Sequence, residues 1–418
     1  MSMKSYIQAI KILKDGKIKI GNEFINTSNC LNRVSSVNIY SSSDYPSANN
    51  SSFDGYAIKS SDTINLKKKL QKFKIVGTIA AGNKPLKKKI KKFQTVEIMT
   101  GALIPKSLDT IIPIEQINFY PNKKNAKYIL LNKKISKFDN VRFKGSDYKK
   151  GELLISKGTI LQSNHILALK TLGVKKIKVK KKPNILFFST GNEITNKEKI
   201  SDWEVRNSNC HYIHSLNQNF LFNFKDGGIL RDNQSQKFKS HISKMLNSKF
   251  DLIVTSGAVS AGKFDFVPKI IKNFKLSNYF KSVLIRPGKP IMFAKIKGKS
   301  KVIFGLPGNP ISSAACFRFF VYPYLRSLLG IKEEISFKAI LKNEFIKKKY
   351  FTRFVKSKLS TTKNGKLEVH ILKGQESFRI KSFIQSNIWV MLPSGKSKFK
   401  KGETVDCFFP NHSNKILS

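Results

Sequence analysis

The chain has 418 residues, 40% of them hydrophobic and 11% aromatic, and its formal net charge is +52. Its length exceeds what one hydrophobic core usually serves, and it contains neither an apolar run near the roughly 20 residues that cross a bilayer nor a cleavable export signal. The lysine excess is spread evenly along the chain together with Ile, Asn and Phe, as an AT-rich coding sequence would produce, so we expect no nucleic-acid partner. From the length and the missing apolar run, we expect a cytoplasmic protein with several units and no membrane partner.

The first half of the chain is predicted to hold two units. Residues 1 to 26 are predicted to form a helix and a short strand, because apolar residues recur at helical spacing before Gly16. From about 56 to 140, short β-prone runs separated by Gly, Pro, Asn and Lys predict a mainly β unit. Residues 141 to 180 are predicted to return to the first unit, which would make that unit discontinuous.

The second half changes character. From residue 184 onward, strand-like and helix-like runs alternate, which predicts βαβ units and a parallel sheet covered by helices. A long helix is predicted from Ile311 to Leu329, after the turn PGNP. Residues 331 to 418 have strand-like runs and no clear helix, so we expect a small β barrel or sandwich there.

Three loops rich in Gly and Ser follow strands of the predicted parallel sheet. In such sheets, ligands bind where strands end, and the N-termini of helices attract anions. The loops therefore predict a site for a phosphate-bearing or otherwise anionic ligand, although a tight structural turn explains any single loop equally well. The loops contribute Ser189, Thr190, Gly191 and Glu193; then Ser256, Gly257, Ser260, Gly262 and Asp265; then Gly305, Gly308 and Asn309.

Acidic residues are scarce in this chain, and several of them lie in turn-like segments: Asp54, Asp147, Glu193, Asp232 and Asp265. Carboxylates near phosphates suit magnesium, which commonly binds one or two carboxylates together with substrate oxygens. In the alternative interpretation, some of these side chains accept hydrogen bonds from loop amides and Asp265 caps a helix. Spacing along the chain slightly favours this alternative over a magnesium site, but it does not exclude the magnesium site.

Basic and metal-ligating residues give weaker signals. The segment RPGKP places Arg286 and Lys289 around a rigid turn, where the two cations could hold an oxyanion. Lysine runs such as Lys347 to Lys349 are typical of a solvated face or loop. His211 and His214 could share a metal, but packing or exposure on a helix is the favoured interpretation.

The cysteines are far apart in the sequence. None of the four, Cys30, Cys210, Cys316 and Cys407, has a close partner of the kind found in a zinc knuckle or a redox motif. We therefore expect buried, reduced thiols.

Seven motifs occur in order along the chain and resemble those of one enzyme family. SSFDGYAI at about residues 52 to 58 is similar to the family's SAMDGYAV, and EIMTGALIPKSLDTIIPIEQ at 97 to 116 is similar to its IMTGAPLP and the following segment. VRFKGSDYKKGE at 141 to 152 resembles IRRxGED. FFSTGNEI, SGAVSAGKFD, RPGKP and GLPGNPISSAACFRFFVYPYL complete the set, which spans roughly residues 5 to 400. The set resembles the molybdopterin molybdenumtransferase family, which includes the bacterial molybdate-insertion enzymes and the E domain of gephyrin.

The resemblance implies a multidomain α/β fold in an elongated homodimer. Its expected units are a discontinuous linker and dimerisation domain (1–45 and 141–180), a mainly β domain (46–140), a parallel-sheet α/β molybdopterin-binding domain (181–330) and a C-terminal β-barrel domain (331–418). The implied reaction inserts molybdate into adenylylated molybdopterin, assisted by Mg²⁺, and releases AMP. The preceding adenylyltransferase and the molybdoenzymes are implied as further partners.

The resemblance also assigns roles residue by residue. Glu193 and Asp265 are expected to act with Mg²⁺ and the adenylyl phosphate, Asp54 and Asp232 to be further catalytic carboxylates, and cations to hold molybdate. Asp54, Thr100, Arg142 and Asp147 match positions that face the α/β domain of the other subunit. The expected substrate-binding residues are Thr100, Arg142, Asp147, Ser189, Thr190, Gly191, Ser256, Gly257, Ser260, Arg286, Lys289, Pro307, Gly308, Asn309 and Arg353.

Two departures from the family motifs bear most on activity. Ala258 replaces a Gly, and its methyl group could restrict the approach of the backbone to a ligand. Arg286 replaces a Lys, and a guanidinium binds an oxyanion in a forked geometry that an ammonium lacks. A non-catalytic pterin-binding scaffold and a molybdopterin adenylyltransferase are the alternative functions, and the sequence does not separate molybdate from tungstate.

Overall fold

The computed structural model describes residues 3–66, 70–84, 86, 89–216, 221–259 and 265–410. The chain begins with helix α1 (Tyr6–Asp15) and strand β1 (Asn22–Asn26). The hydroxyl of Ser5 accepts a hydrogen bond from the Gln8 amide, and the Gln8 side chain accepts one from the Ser5 amide, which is a capping box. The prediction of a helix followed by a strand is confirmed.

A six-stranded sheet follows, in the order β7-β4-β6-β5-β9-β8. Its strands bury residues on both faces: Ala57, Ile79 and Val96 belong to one hydrophobic cluster, and Ile58 and Phe73 to another. The predicted β character of this region is confirmed. The strands of this part of the chain are β2 (Ile39–Tyr40), β3 (Asn50–Ser51), β4 (Gly55–Ile58), β5 (Gln71–Ile79), β6 (Gln94–Ile98), β7 (Thr110–Pro113), β8 (Asn118–Tyr120) and β9 (Tyr128–Leu131), with short 3-10 turns at Thr27–Asn29, Ser60–Thr63 and Ile114–Gln116.

The chain then pairs with its own beginning. Strand β10 (Val141–Arg142) pairs with β3, β11 (Leu153–Ile155) pairs with β2, and, after helix α2 (Ser163–Thr171), β12 (Lys176–Lys180) pairs antiparallel with β1. Buried side chains from both segments share one cluster, which is the physical basis for a discontinuous unit. The limits at residues 45, 140 and 180 stay predictions.

The α/β unit holds a six-stranded sheet in the order β16-β13-β17-β21-β20-β18. The first four strands are parallel, as predicted, and the last two form an antiparallel edge. The chain leaves β13 for β16 on one side and then crosses to β17 on the other, so the topological switch point lies between β13 and β17. The elements are β13 (Asn184–Thr190), β14 (Ile194–Thr195), β15 (Val205–Arg206), α3 (Ser208–Leu216), β16 (Asn223–Leu230), α4 (Ser235–Met245), β17 (Leu252–Ser256), α5 (Val267–Ile271), β18 (Leu276–Lys281), β19 (Ile285–Arg286), β20 (Met292–Ile296) and β21 (Val302–Leu306).

The helix predicted from Ile311 to Leu329 is interrupted. Helix α6 (Pro310–Cys316) passes into a π-helical turn (Phe317–Val321) and continues as α7 (Tyr322–Leu329). Pro323 accounts for the turn, because a proline has no N–H and its ring clashes with the carbonyl four residues earlier. That carbonyl belongs to Phe319, and the hydroxyl of Tyr6 lies 3.5 Å from it.

The C-terminal unit is a closed five-stranded barrel in the order β24-β25-β22-β28-β26, and β26 pairs back with β24. Strand β19 adds to β24 in parallel, which joins the barrel to the α/β unit. The predicted barrel is confirmed, but the expectation of no helix is wrong, because a short helix α8 precedes β26. The elements are β22 (Phe337–Leu341), β23 (Phe345–Ile346), β24 (Thr352–Thr361), β25 (Leu367–Ile371), α8 (Ile380–Gln385), β26 (Ile388–Leu392), β27 (Lys398–Phe399) and β28 (Thr404–Phe408).

The cysteines and the lysine run at 347–349 differ in how well their predicted environments match the structure. The four cysteines are free and buried, as predicted. Lys347 is buried, with 6% of its surface exposed, and its ammonium donates to the Phe351 carbonyl at 2.8 Å, so the prediction of a solvated face is wrong there.

Within the described ranges, no helix combines the length and the apolar character needed to span a membrane.

Candidate functional site

A cavity of about 550 Å³ opens at the carboxyl ends of the four parallel strands, β16, β13, β17 and β21. It therefore lies at the switch point, where parallel sheets bind ligands. The structure brings eleven of the residues predicted from the sequence to its wall: Ser189, Thr190, Gly191, Glu193, Asp232, Ser256, Gly257, Asp265, Pro307, Gly308 and Asn309. Ser260 and Gly262 lie outside the described residues.

Glycine is required where the first two loops meet. Gly257 has a φ of +101°, and a Cβ atom there would lie 2.4 Å from the Thr190 carbonyl oxygen. Gly191 has a φ of +141°, and its Cβ would lie 2.5 Å from a carboxylate oxygen of Glu193. The Gly257 contact shows that the loops after β13 and β17 approach each other through their backbones, whereas a Cβ at Gly191 would meet a side chain of its own loop.

Asparagine side chains that the sequence analysis missed join these loops. The Asn209 amide donates to the Ser256 hydroxyl and to the Gly308 carbonyl, both at 2.7 Å. The Ser189 hydroxyl donates to the Asn207 side-chain oxygen, and the Thr190 hydroxyl donates to the Ser256 carbonyl at 3.1 Å. Both asparagines belong to the segment that starts α3, and the run Asn-Ser-Asn before a helical pattern was the available signal.

Arg231 is a second missed residue. Its Nη1 atom donates to three carbonyl oxygens of the loop after β13, those of Gly191 at 3.3 Å, Asn192 and Ile194 at 2.9 Å. The Asn192 side-chain oxygen in turn accepts the Asp232 amide at 3.0 Å. The loop that carries Glu193 is thus fixed from the end of β16.

Three carboxylates, those of Glu193, Asp232 and Asp265, share the cavity wall. Burial raises the pKa of Asp232, and the charges of Glu193 and Asp265 raise it further. Helix α5 begins two residues after Asp265, and the alternative that Asp265 caps this helix stays a prediction. Repelling carboxylates at one wall fit a divalent cation. Among the described residues, however, no three acidic, His or Cys side chains are close enough to hold an ion alone.

Four predicted residues lie away from this cavity, on the β unit and its junction with the linker: Asp54, Thr100, Arg142 and Asp147, all exposed. The Asp54 carboxylate accepts hydrogen bonds from the Thr100 amide at 2.6 Å and hydroxyl at 2.8 Å. These bonds lower the pKa of Asp54. Asp54 thus satisfies a loop amide, as the alternative interpretation predicted, and remains accessible.

The predicted cations lie at the seam between the α/β unit and the barrel. Arg286 and Arg353 are register partners in the β19–β24 pair, and burial, followed by the charge of Arg286, lowers the pKa of Arg353. Lys289 is exposed and directly precedes Pro290, which lines the cavity. Two guanidinium groups on paired strands favour the binding of an anion nearby.

Two other predicted positions have local explanations. Ala258 lines the cavity and has a left-handed φ of +52°, a conformation that glycine adopts more readily. The His214 ring stacks on Phe224 with centroids 5.0 Å apart, which matches helix packing rather than metal ligation.

Comparison with known proteins finds related families over most of the chain. Three family models match: the MoeA N-terminal region (domain I and II) at residues 4–173, the probable molybdopterin binding domain at residues 187–327, and the MoeA C-terminal region (domain IV) at residues 338–408. Together they cover the linker and β units, the α/β unit with the cavity, and the barrel.

Individual proteins are similar to this chain in sequence and in structure. The molybdopterin molybdenumtransferase of Staphylococcus epidermidis is 30% identical over 403 residues, 96% of this chain and 94% of that protein. Its counterpart in Staphylococcus aureus is 32% identical over 383 residues, 90% of this chain and 88% of that protein. The crystal structure of a molybdopterin biosynthesis MoeA protein from Pyrococcus horikoshii superposes with a TM-score of 0.82 at 28% identity, covering 98% of this chain and all of that one. The chain therefore belongs to the molybdopterin molybdenumtransferase family, transferase enzymes of molybdenum cofactor biosynthesis.

Proposed function

We propose that this enzyme inserts molybdate into adenylylated molybdopterin and releases AMP. The observation that carries the proposal is the cavity at the switch point, with three carboxylates on its wall and a basic turn at its rim. Small residues and the start of α3 leave room for a phosphate-bearing ligand beside backbone amides. Both substrates are anionic, which suits the basic groups at the seam.

Glu193 and Asp265 are the residues that would hold Mg²⁺, which supplies charge neutralisation for the adenylyl phosphate. Because the described carboxylates do not form a complete metal site, phosphate oxygens of the substrate would complete the coordination. Asp232 adds negative charge beside them, and Arg231 keeps the Glu193 loop in place.

Arg286, Lys289 and Arg353 would hold molybdate. Their charges would offset the negative charge that accumulates as dithiolene sulfurs replace molybdate oxygens and the phosphate linkage breaks. The Arg353 Nε atom is buried and has no hydrogen-bond partner among the described residues, and an oxyanion that reached it would supply one.

A cytoplasmic homodimer is part of the proposal. The linker unit exposes large apolar side chains, including Phe24 at 69% and Leu167 at 71%. Tyr40 and Leu153 are cross-strand partners and are both exposed, so they form a continuous apolar patch. Such a patch is typical of an interface, and a second copy of the chain would cover it. The upstream adenylyltransferase and the molybdoenzymes that receive the cofactor are the further partners that we expect.

The decisive experiment measures AMP release from adenylylated molybdopterin with Mg²⁺, with and without molybdate, coupled to activation of a cofactor-free molybdoenzyme. Molybdate-dependent release with activation is the expected result. Tight pterin binding without release would instead favour the non-catalytic scaffold, for which the constrained Ala258 backbone is the relevant observation. Adenylyltransferase activity would require ATP consumption, and the matches to both the N-terminal and the C-terminal family models favour insertion.

A further inference from the structure

The C-terminal barrel touches the wall of the cavity through residues 374–379, here named the barrel loop. The Asn309 side-chain amide donates to the Ser377 hydroxyl at 3.0 Å, and the Ile311 amide donates to the Ser377 carbonyl at 3.2 Å. Asn309 lines the cavity, and Ile311 lies in the first turn of α6. The barrel loop therefore contacts the PGNP segment (307–310) and the start of α6 through Ser377.

One buried lysine fixes the barrel loop to strand β24. Lys356 is 1% exposed, and its ammonium donates to the carbonyls of Gly374 at 2.7 Å, Glu376 at 3.2 Å and Arg379 at 3.1 Å. An ammonium has three donors, and each has an acceptor here. An apolar side chain at this position would leave three carbonyl groups without that donor.

Gln375 adds two bonds between the same segments. Its side-chain oxygen accepts the Lys356 amide at 3.0 Å, and its side-chain nitrogen donates to the Lys356 carbonyl at 2.8 Å. The Gln375 bonds go to the backbone of Lys356 and do not depend on its side chain, so the three bonds of the ammonium are the part of this anchorage that a substitution removes.

We propose that Lys356 is a positioning residue for substrate binding: it holds the barrel loop so that Ser377 keeps the PGNP wall of the cavity in its binding geometry. The proposal rests on the proposed function, because it assigns the wall to the adenylylated pterin. Lys356 does not line the cavity; the charge of Arg353 acts on it at a distance, and Lys356 acts on the cavity wall through the loop.

The charge of Lys356 is sensitive to pH. Burial lowers its pKa to about 8; Glu376 opposes this shift, and the charges of Arg353 and Arg379 add to it. Deprotonation removes one of the three donors and loosens the loop. Lys356 loses its proton at about pH 8 in the folded protein, whereas lysine in the unfolded chain has a pKa of about 10.4. Between these two pH values the unfolded chain binds the extra proton, so the contribution of Lys356 to global stability rises as pH rises. Loosening of the loop above pH 8 is therefore local.

The test compares Lys356→Met, which keeps the length of the side chain without its charge, with Lys358→Met at an exposed position of the same strand. We expect Lys356→Met to lower the hydrogen-exchange protection of the Ile311 amide and to raise KM for adenylylated molybdopterin, each by about tenfold or more, with a smaller change in kcat. Lys358→Met should change neither quantity. A folded Lys356→Met protein with unchanged protection and KM would overturn the proposal.

The wild-type protein gives a second test that needs no variant. The protection factor of the Ile311 amide should fall as pH passes through about 8, relative to the Ala315 amide in the same helix. A parallel response of the two amides would also overturn the proposal. If wild-type protein released no AMP, the proposed function would fail, while the exchange measurements would still report on the loop.

Discussion

At the scale of single residues, Ala258 shows how a backbone conformation relates to a departure from the family motif. Its φ of +52° lies in the left-handed region, where a Cβ atom costs about 1–2 kcal/mol. The family's glycine adopts that conformation without this cost. The sequence predicted that the methyl group could restrict the approach of the backbone to a ligand, and the structure places Ala258 on the cavity wall.

We predict that Ala258→Gly stabilises the protein. Relief of the left-handed strain exceeds the roughly 0.5–1 kcal/mol of unfolded-state entropy that a glycine adds, so the net gain should be up to about 1 kcal/mol. Urea denaturation measures it as a higher midpoint with an unchanged slope. The matched control is Ala80→Gly in an exposed loop where φ is not positive, and it should destabilise. A loss of stability in both variants would refute the assignment of strain to Ala258.

Asp265 gives a prediction about chemistry. Asp265→Asn keeps the size of the side chain but removes a charge from the group proposed to hold Mg²⁺, so it should abolish AMP release. Dimerisation should not change, and Tm should not fall, because the substitution also removes a charge that repels Asp232. The control is Asp202→Asn, on the exposed segment before β15. A fully active Asp265→Asn enzyme would end the proposed role of this residue.

Asp232 gives a prediction about pH. Burial and the neighbouring carboxylates raise its pKa, so the ionised form costs stability above that raised pKa, and the cost disappears as pH falls and the group binds a proton. Asp232→Asn should therefore raise Tm at pH 7 by about 1–3 °C, and the gain should shrink as pH approaches about 4. Thermal melts across this range measure it. A gain that does not depend on pH would show that ionisation is not its source.

At the scale of elements, Arg231 connects the ends of two strands. The Nη1 atom of Arg231 contacts all three carbonyls and lies one bond farther from the backbone than a lysine ammonium would, so Arg231→Lys should weaken the loop after β13. We expect a loss of about 1–3 kcal/mol in local stability, measured as faster amide exchange at residues 191–194, and a higher KM. Lys225→Gln, at an exposed position of β16, is the control. Unchanged exchange in the Arg231 variant would show that the loop is held by other contacts.

The sequence predicted elements better than it predicted contacts between them. The loops after β13, β17 and β21 were found because hydrophobic runs followed by Gly and Ser are local patterns. Asn209 and Arg231 were missed because their partners lie 47 and 99 residues away for Asn209, and 37 to 40 for Arg231, and no spacing rule connects them. The π-helical turn was missed although Pro323 was visible, because proline is also compatible with a kinked continuous helix.

At the scale of the whole molecule, the predicted site is divided between three places: the cavity, the seam that carries Arg286, Lys289 and Arg353, and the β and linker units. Eleven of its residues line the cavity, while Asp54, Thr100, Arg142 and Asp147 are exposed on other units. Within one chain, the second group contacts no residue of the cavity wall through any hydrogen bond found among the described residues. The resemblance assigns it to the cavity of the other subunit, which agrees with the apolar patch on the linker unit. In that arrangement, each complete site needs two chains.

Mixed dimers test this arrangement. Asp54→Asn and Asp265→Asn should each be inactive alone, because each homodimer lacks one carboxylate in both sites. When the two variants are co-expressed, half of the dimers are mixed, and one of the two sites in a mixed dimer keeps both carboxylates, so about one quarter of the wild-type AMP release should return. Separately tagged chains purified in tandem isolate the mixed dimer, which should show about half of the wild-type activity. If both residues served a site within one chain, neither site of the mixed dimer would be complete and no activity would return, because each chain would still carry its own defect.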